Sequence, residues 1–209
     1  MVPSQYQDTA QSIFSDRLGF VEEYAQILGN EGIEWGLLGP RETERLWDRH
    51  ILNSVILSPL IDQDSSVADL GSGAGLPGIP LAILRPDLRI ELVEPMERRV
   101  KFLSMCVKRL GLGEQVRVVR SKAEQYCEDL DCEVMTCRAL APMTSLLDWV
   151  GSKLGSRVLL AIKGGRAPLE IEEATSQLTG LNLRAEILRP RIYEQEWGSV
   201  VRVLAAQSG

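Results

Sequence analysis

Two rhythms divide the chain. Up to about residue 60, apolar residues recur at helical spacing; from Val67 onward, short apolar runs alternate with amphipathic stretches. Ile13, Phe14, Leu18, Val21, Tyr24, Ala25 and Leu28 mark one face of a helix over residues 4–29, closed by Gly29-Asn30. Residues 31–40 read as a connector. A second helical stretch covers 41–60, with Leu46, Trp47, Ile51, Leu52, Val55 and Ile56 as its stripe and Pro59 at its end. The later rhythm predicts strands over 67–70, 89–94, 116–119, 133–137, 157–162, 183–188 and 199–205. Helices are predicted over 97–110, from 123, over 143–154 and over 169–178. Strands separated by helices predict an α/β fold: a seven-stranded, mostly parallel, doubly wound sheet with right-handed crossovers. The last two strands have no helix between them, so a hairpin with one antiparallel strand is expected. The chain thus divides into an N-terminal helical extension over 1–62 and an α/β domain over 63–209.

Where the rhythm changes stands Val67-Ala68-Asp69-Leu70-Gly71-Ser72-Gly73-Ala74-Gly75-Leu76-Pro77-Gly78, which reads as strand, glycine loop and helix start. Glycines let main-chain N–H groups approach a ligand closely. Two parses fit. Gly73-x-Gly75-x-x-Gly78, with Glu94 about 20 residues on, matches a dinucleotide fingerprint. Alternatively, Asp69 precedes the ladder Gly71, Gly73, Gly75. A carboxylate beside a diphosphate is repulsive, whereas it suits a ligand carrying an ammonium or sulfonium, as S-adenosylmethionine does. On the second parse the loop resembles the cofactor loop of Rossmann-like, class I S-adenosylmethionine-dependent methyltransferases, and that is the fold expected. An NAD-dependent oxidoreductase is the rival enzyme. A non-catalytic RNA-binding or assembly protein that keeps the fold as a scaffold is the rival binder.

In open α/β sheets the ligand lies at the carboxyl ends of the strands. That rule selects Asp69 and the loop from Gly71 to Leu76, then Glu94 and Met96, Ala123 and Glu124, Arg138, and Lys163. Glu94 suits the two ribose hydroxyls of an adenosine. Leu76 and Met96 suit the adenine's faces, and the main chain at Ala123 and Glu124 its edge, although Glu124 also fits a helix-dipole role. Arg138 ends a buried strand and needs an acidic, carboxylate or phosphate partner. Cys137 reads as a small core residue more than as a nucleophile.

Composition narrows the partners. A net charge of −6 excludes a protein that binds polyanions over its whole surface, so any RNA contact needs a local basic patch. Arg41, Arg45 and Arg49 fall at i, i+4 and i+8 of the second helical stretch beside His50, interleaved with acids that would pair with them. Lys163 and Arg166 flank Gly164-Gly165 in a loop that suits a phosphate. Four cysteines without a C-x-x-C pair, and a single histidine, argue against a metal site. No run of about 20 apolar residues predicts a membrane span, and Met1-Val2-Pro3-Ser4 lacks a signal-peptide layout, so a cytoplasmic protein with reduced thiols is expected.

Four stretches in order carry a family resemblance: Arg49-His50-Ile51-Leu52-Asn53-Ser54, the glycine loop extended through Ile79-Pro80, Cys137-Arg138-Ala139-Leu140-Ala141-Pro142, and Ala161-Ile162-Lys163-Gly164. The chain resembles the RsmG (GidB) family, bacterial 16S rRNA guanine-N7 methyltransferases. The resemblance implies S-adenosylmethionine as donor and a guanine in the 530 loop of 16S rRNA as target. The small-subunit rRNA or 30S particle would be the partner of a monomeric enzyme. By position it implies cofactor contacts at Gly71, Leu76, Ala123, Glu124 and Arg138. Adding the residues read from the loop itself gives Asp69, Gly71, Gly73, Gly75, Leu76, Glu94, Met96, Ala123, Glu124 and Arg138 for the cofactor. Arg45, Arg49, His50, Arg138, Lys163 and Arg166 are the candidates for RNA. Guanine N7 carries an in-plane lone pair and no proton, so no catalytic acid or base is expected. The chain departs from the family's pattern at 35–40, at Glu94-Pro95 and at Asn53, where an Asp is frequent.

Overall fold

The computed structural model describes residues 1–129 and 131–206. Nine strands form two sheets among them. The large sheet contains β1 (Ser66–Leu70), β2 (Arg89–Val93), β3 (Val116–Val119), β4 (Val134–Arg138), β5 (Val158–Lys163), β6 (Leu183–Leu188) and β9 (Ser199–Ala205). Its order is β3-β2-β1-β4-β5-β9-β6. β9 runs antiparallel to both neighbours, Leu159 facing Val203 on one side and Ala185 facing Val203 on the other. The other pairings are parallel. The predicted seven-stranded α/β sheet with one reversed strand is therefore observed. The remaining strands, β7 (Arg191–Ile192) and β8 (Gln195–Glu196), form a small hairpin in what reads from sequence as a polar loop.

Both faces of the sheet are covered, as a parallel sheet requires. One face packs on the N-terminal segment, with α4 (Gly78–Leu84) and α5 (Glu97–Arg109); Tyr24, Ile51, Leu81, Ile90 and Phe102 belong to that core. The other packs on α7 (Met143–Val150), α8 (Ala167–Glu173) and α9 (Thr175–Gly180), through Met135, Leu146, Leu159, Ala174 and Val201. Helices give way to strands near residue 62, yet the N-terminal segment and the sheet share one continuous apolar core.

The N-terminal segment is less regular than its periodicity predicts. The helix expected over 4–29 is broken into α1 (Gln7–Phe14) and α2 (Leu18–Gly29) by a 3₁₀ turn, Ser15–Arg17. Serine and aspartate compete with helix bonds through their own side chains, and Ser15 takes a φ of 49°. A short α3 (Glu31–Glu34) lies in the expected connector. The stretch 41–60 is a 3₁₀ segment (Pro40–Arg45), a π-helix (Leu46–Leu52) and another 3₁₀ segment (Val55–Leu60) that contains Pro59. Changing helix type changes the angle per residue. Arg41, Arg45 and Arg49 are all exposed but are not stacked on the single α-helical stripe that their spacing predicts. The helix expected over 169–178 is likewise divided into α8 and α9.

Candidate active site

The site lies where strand order reverses, between β1 and β4, at the carboxyl ends of the strands. After β1 the N–H groups of Gly71 and Ser72 both donate to the Val93 carbonyl, at 2.8 and 3.1 Å, which folds the loop back over β2. Gly71, Gly73 and Gly75 have φ of 67°, 58° and 97°. At Gly78 the need for glycine is steric: a Cβ would run into Leu92 and stand 2.9 Å from Asp69 Oδ2. At Gly73 the same atom would meet nothing nearer than a loop carbonyl at 3.9 Å. The loop is thus packed at its base and open at its crest.

Asp69 corrects the electrostatic argument made from sequence. Its side chain does not face an open cradle. It is fully buried; Oδ2 accepts the Gly78 N–H at 3.2 Å and Oδ1 accepts the Thr136 hydroxyl at 3.1 Å. Burial pushes its pKa up to about 7, against the opposing hydrogen bonds of Ser72, Thr136 and Gly78. Asp69 ties the glycine loop to β1 and β4. Tyr24 on α2, absent from the sequence-based set, ties it from the other side, its buried hydroxyl donating to the Ala74 carbonyl at 2.8 Å. Burial pushes that phenol's pKa well up.

Glu94 stands just past β2 and over the crest. Its Oε2 accepts the Gly73 N–H and its Oε1 the Met96 N–H, each at 3.0 Å, with Arg99 3.7 Å away. Met96 is exposed, Leu76 and Ala123 are buried, and Glu124 is exposed at the start of α6 (Ala123–Tyr126).

Arg138, the last residue of β4, is held by the N-terminal segment. Its Nη1 donates to the Arg49 carbonyl at 2.8 Å and to Asn53 Oδ1 at 3.4 Å, and its Nη2 lies 2.5 Å from His50 Nδ1. Asn53 Nδ2 donates to the Trp197 carbonyl at 2.8 Å, extending the network to the end of the small hairpin. His50 Nε2 is 2.7 Å from Glu42 Oε2, and Arg49 pairs with Glu42 Oε1 at 3.3 Å. Burial first, and then Arg138, lower the His50 pKa; the hydrogen bond from His50 lowers that of Glu42. His50 therefore does not present a ring nitrogen to RNA, as its place beside the arginines suggested: it is buried and both nitrogens are engaged.

Lys163 is likewise not a free phosphate clamp. Its side chain is 8% exposed, and its ammonium donates to Glu170 Oε2 and to the Ala141 carbonyl, both at 2.6 Å. The Met143 N–H donates to the same Glu170 oxygen at 3.1 Å, so the pair fixes the turn after β4. Arg166 remains exposed, as do Arg45, 3.7 Å from Asp48, and Arg49. Cys137 is buried and its thiol is pushed up to about 12, which leaves no thiolate for attack at neutral pH.

A cleft of about 1140 Å³ opens beside this network, walled by Arg45, Arg49, Arg138, Leu140, Arg166 and Trp197 among others. Its walls do not include the glycine loop. Leu140 stands between the two, against Gly71. The charged cleft therefore lies beside the glycine loop, with Leu140 lining the one and packed against the other. Among the described residues no group of three potential metal ligands is assembled, and no helix is long and apolar enough to cross a membrane.

Known proteins resemble the chain as follows. Residues 18–189 match the family model GidB, described as rRNA small subunit methyltransferase G. A protein named Ribosomal RNA small subunit methyltransferase G from Renibacterium salmoninarum is 44% identical over 202 residues, covering 95% of this chain and 94% of its own. One of the same name from Mycolicibacterium smegmatis is 50% identical over 171 residues, covering 79% and 72%. Among solved structures, a point mutant of MtNAS aligns with a TM-score of 0.60 at 18% identity, over 98% of this chain and 78% of that one. A precorrin-6y C5,15-methyltransferase from Geobacter metallireducens aligns with a TM-score of 0.56, also at 18% identity, over 74% and 88%. At such identities the structural likeness speaks for the Rossmann-like fold alone.

Proposed function

This chain belongs to the rRNA small subunit methyltransferase G (GidB) family, and from that premise we propose that it transfers a methyl group from S-adenosylmethionine to N7 of a guanine in the 530 loop of small-subunit rRNA. The observation that carries the cofactor half is the Gly73–Glu94 pairing. A buried carboxylate hangs over an open glycine crest, on the strand next to β1, held by two N–H groups. Those residues fit the donor. Glu94 would receive the ribose hydroxyls, Gly73 would allow close approach of the main chain while Gly71 and Gly75, packed against Leu140 and Ile79, shape the loop around it, and Leu76 and Met96 would flank the adenine. The main chain at Ala123 and Glu124 would meet its edge, and Arg138 the donor's carboxylate. When bound, the donor supplies a methyl group on a positively charged sulfur.

The chain's part in the transfer is placement. N7 offers a lone pair and holds no proton, so its attack needs no general base. Holding two reactants in line and excluding water supplies the rate. The turn 139–142, braced by Lys163 and Glu170, would form the wall on the guanine side. N7 lies on the major-groove edge, which is inaccessible in an A-form helix, so the target nucleotide must be unpaired or flipped into the cleft. Arg45, Arg49 and Arg166 on the cleft suit neighbouring phosphates.

Two measurements test this. Small-subunit rRNA from cells lacking the protein should lose one N7-methylguanine, and the purified protein should restore it with labelled donor. An unchanged modification map would refute the target. Calorimetric titration showing NAD bound and S-adenosylhomocysteine not bound would refute the cofactor.

A further inference from the structure

We propose that His50, held by Glu42 as the neutral Nε2–H tautomer, is a positioning residue that presents Arg138 to the cofactor, so that filling the site requires an unprotonated His50. The inference rests on the reading above that Arg138 meets the cofactor's carboxylate.

The tautomer follows from donor counting. A guanidinium has five N–H donors and no acceptor. At 2.5 Å from Arg138 Nη2, His50 Nδ1 must therefore carry its lone pair. The ring proton is then on Nε2, where it donates to Glu42 Oε2 at 2.7 Å. The imidazole acts as an adapter between two charged groups that do not touch. It accepts from the cation and donates to the anion.

The same counting shows what this does for Arg138. Three of its five N–H groups are spent on the N-terminal segment: two on the Arg49 carbonyl and Asn53 Oδ1, and one on His50. The Nε–H and one Nη2–H find no acceptor among the described residues. A guanidinium fixed at one end with donors to spare at the other can receive a carboxylate. Protonation of His50 would turn Nδ1 into a donor and set two cations in contact. Arg138 would then lose an acceptor and be pushed from its place.

The charged groups around this pair are Glu42 and Arg49 from the N-terminal segment, Arg138 from β4, and Tyr24 and Asp69, which act on Arg138 from α2 and β1. Glu42 favours the protonated ring; burial, Arg138 and Arg49 oppose it, and the balance lies on their side. Asp69 titrates in a neighbouring range and is left unchanged by substitutions at His50, so any pH effect of its own is common to wild type and variant.

The test is calorimetric titration of the whole protein with S-adenosylhomocysteine between pH 5 and 8. It compares wild type, His50→Asn, His50→Ala and Arg138→Ala. Asparagine offers an oxygen near the place of Nδ1 and cannot be protonated. Wild-type affinity should fall on acidification below the ordinary histidine range, approaching ~10-fold per pH unit for one excluded proton. His50→Asn should bind within about threefold of wild type at pH 7.5 and lack that acid limb, whereas His50→Ala should bind about 10-fold more weakly at pH 7.5. An acid limb retained in His50→Asn, or a wild-type profile in His50→Ala, overturns the proposal if Arg138→Ala has lost affinity. Wild-type affinity in Arg138→Ala overturns the underlying reading of Arg138. If His50→Ala does not fold, the His50→Asn profile decides alone.

Discussion

Replacing Asp69 by asparagine should make the protein more stable at neutral and alkaline pH. The carboxyl group is fully buried, accepts from Gly78 and Thr136, and titrates near 7 in the folded protein, against 3.8 for a free aspartate. Between those values the folded state keeps a proton that the unfolded state has released. Raising pH through that window therefore destabilises the fold, and the whole penalty is present above pH 7. The gap of about three pH units corresponds to about 4 kcal/mol, at 1.36 kcal/mol per unit. Asparagine copies the neutral form. Its oxygen can accept from Gly78 and its amide can donate to the Thr136 hydroxyl, which also serves as an acceptor. Urea denaturation of both proteins at pH 4.5 and pH 8 measures the effect. The two should be similar at pH 4.5, with the variant ahead by up to about 4 kcal/mol at pH 8, or on the order of 10 °C in melting temperature. Stability curves that stay parallel from pH 4.5 to 8 would refute a neutral buried carboxyl. The variant also separates two roles for Asp69. If the residue acts only by holding the loop, S-adenosylmethionine and S-adenosylhomocysteine should both bind nearly as to wild type; selective loss of the charged donor would revive direct electrostatic contact.

Further outcomes follow from the same geometry. Gly73→Val places a β-branched residue at a φ of 58° and fills the open crest; calorimetry should show affinity for S-adenosylhomocysteine reduced about 100-fold or more while the fold survives, at a strain of about 1–3 kcal/mol. Tyr24→Phe leaves the Ala74 carbonyl without its buried donor and should cost about 1–2 kcal/mol in urea denaturation, with weaker cofactor binding. Glu170→Gln strips the buried Lys163 of its counter-ion and should destabilise by roughly 3 kcal/mol, whereas Glu170→Gln combined with Lys163→Met should recover most of that in the same assay. Arg166→Glu should weaken association with small-subunit rRNA and flatten its salt dependence by about one phosphate contact, leaving S-adenosylhomocysteine affinity unchanged in calorimetry.

The N-terminal segment shows why parts of the fold were hidden. A run such as Leu46-Trp47 followed by His50-Ile51-Leu52 is apolar enough to read as helix, but its period does not reveal whether 3.0, 3.6 or more residues make a turn. The π-turn that places Arg49 and His50 beside Arg138 buries Leu46, Trp47, Ile51 and Leu52 in the core it shares with the sheet. The small hairpin of β7 and β8 is two residues a side, below what alternation can signal.

From sequence alone came the parallel sheet with its one reversed strand, the glycine loop, the carboxylate at 94 and the family. Each is written locally: period two against period 3.6, glycines where the chain turns sharply, and an acid at the strand end that Rossmann-like sites use. Only the tertiary structure decided what the charged groups do. Asp69 faces inward, His50 turns to Arg138, and Lys163 turns to Glu170, because a charge or polar group taken out of water must find a partner. Those partners lie on other elements, up to 88 residues away for His50 and Arg138. Spacing along the chain says which residues are near one another on one element; it does not say which opposite charge the fold will bring across from another.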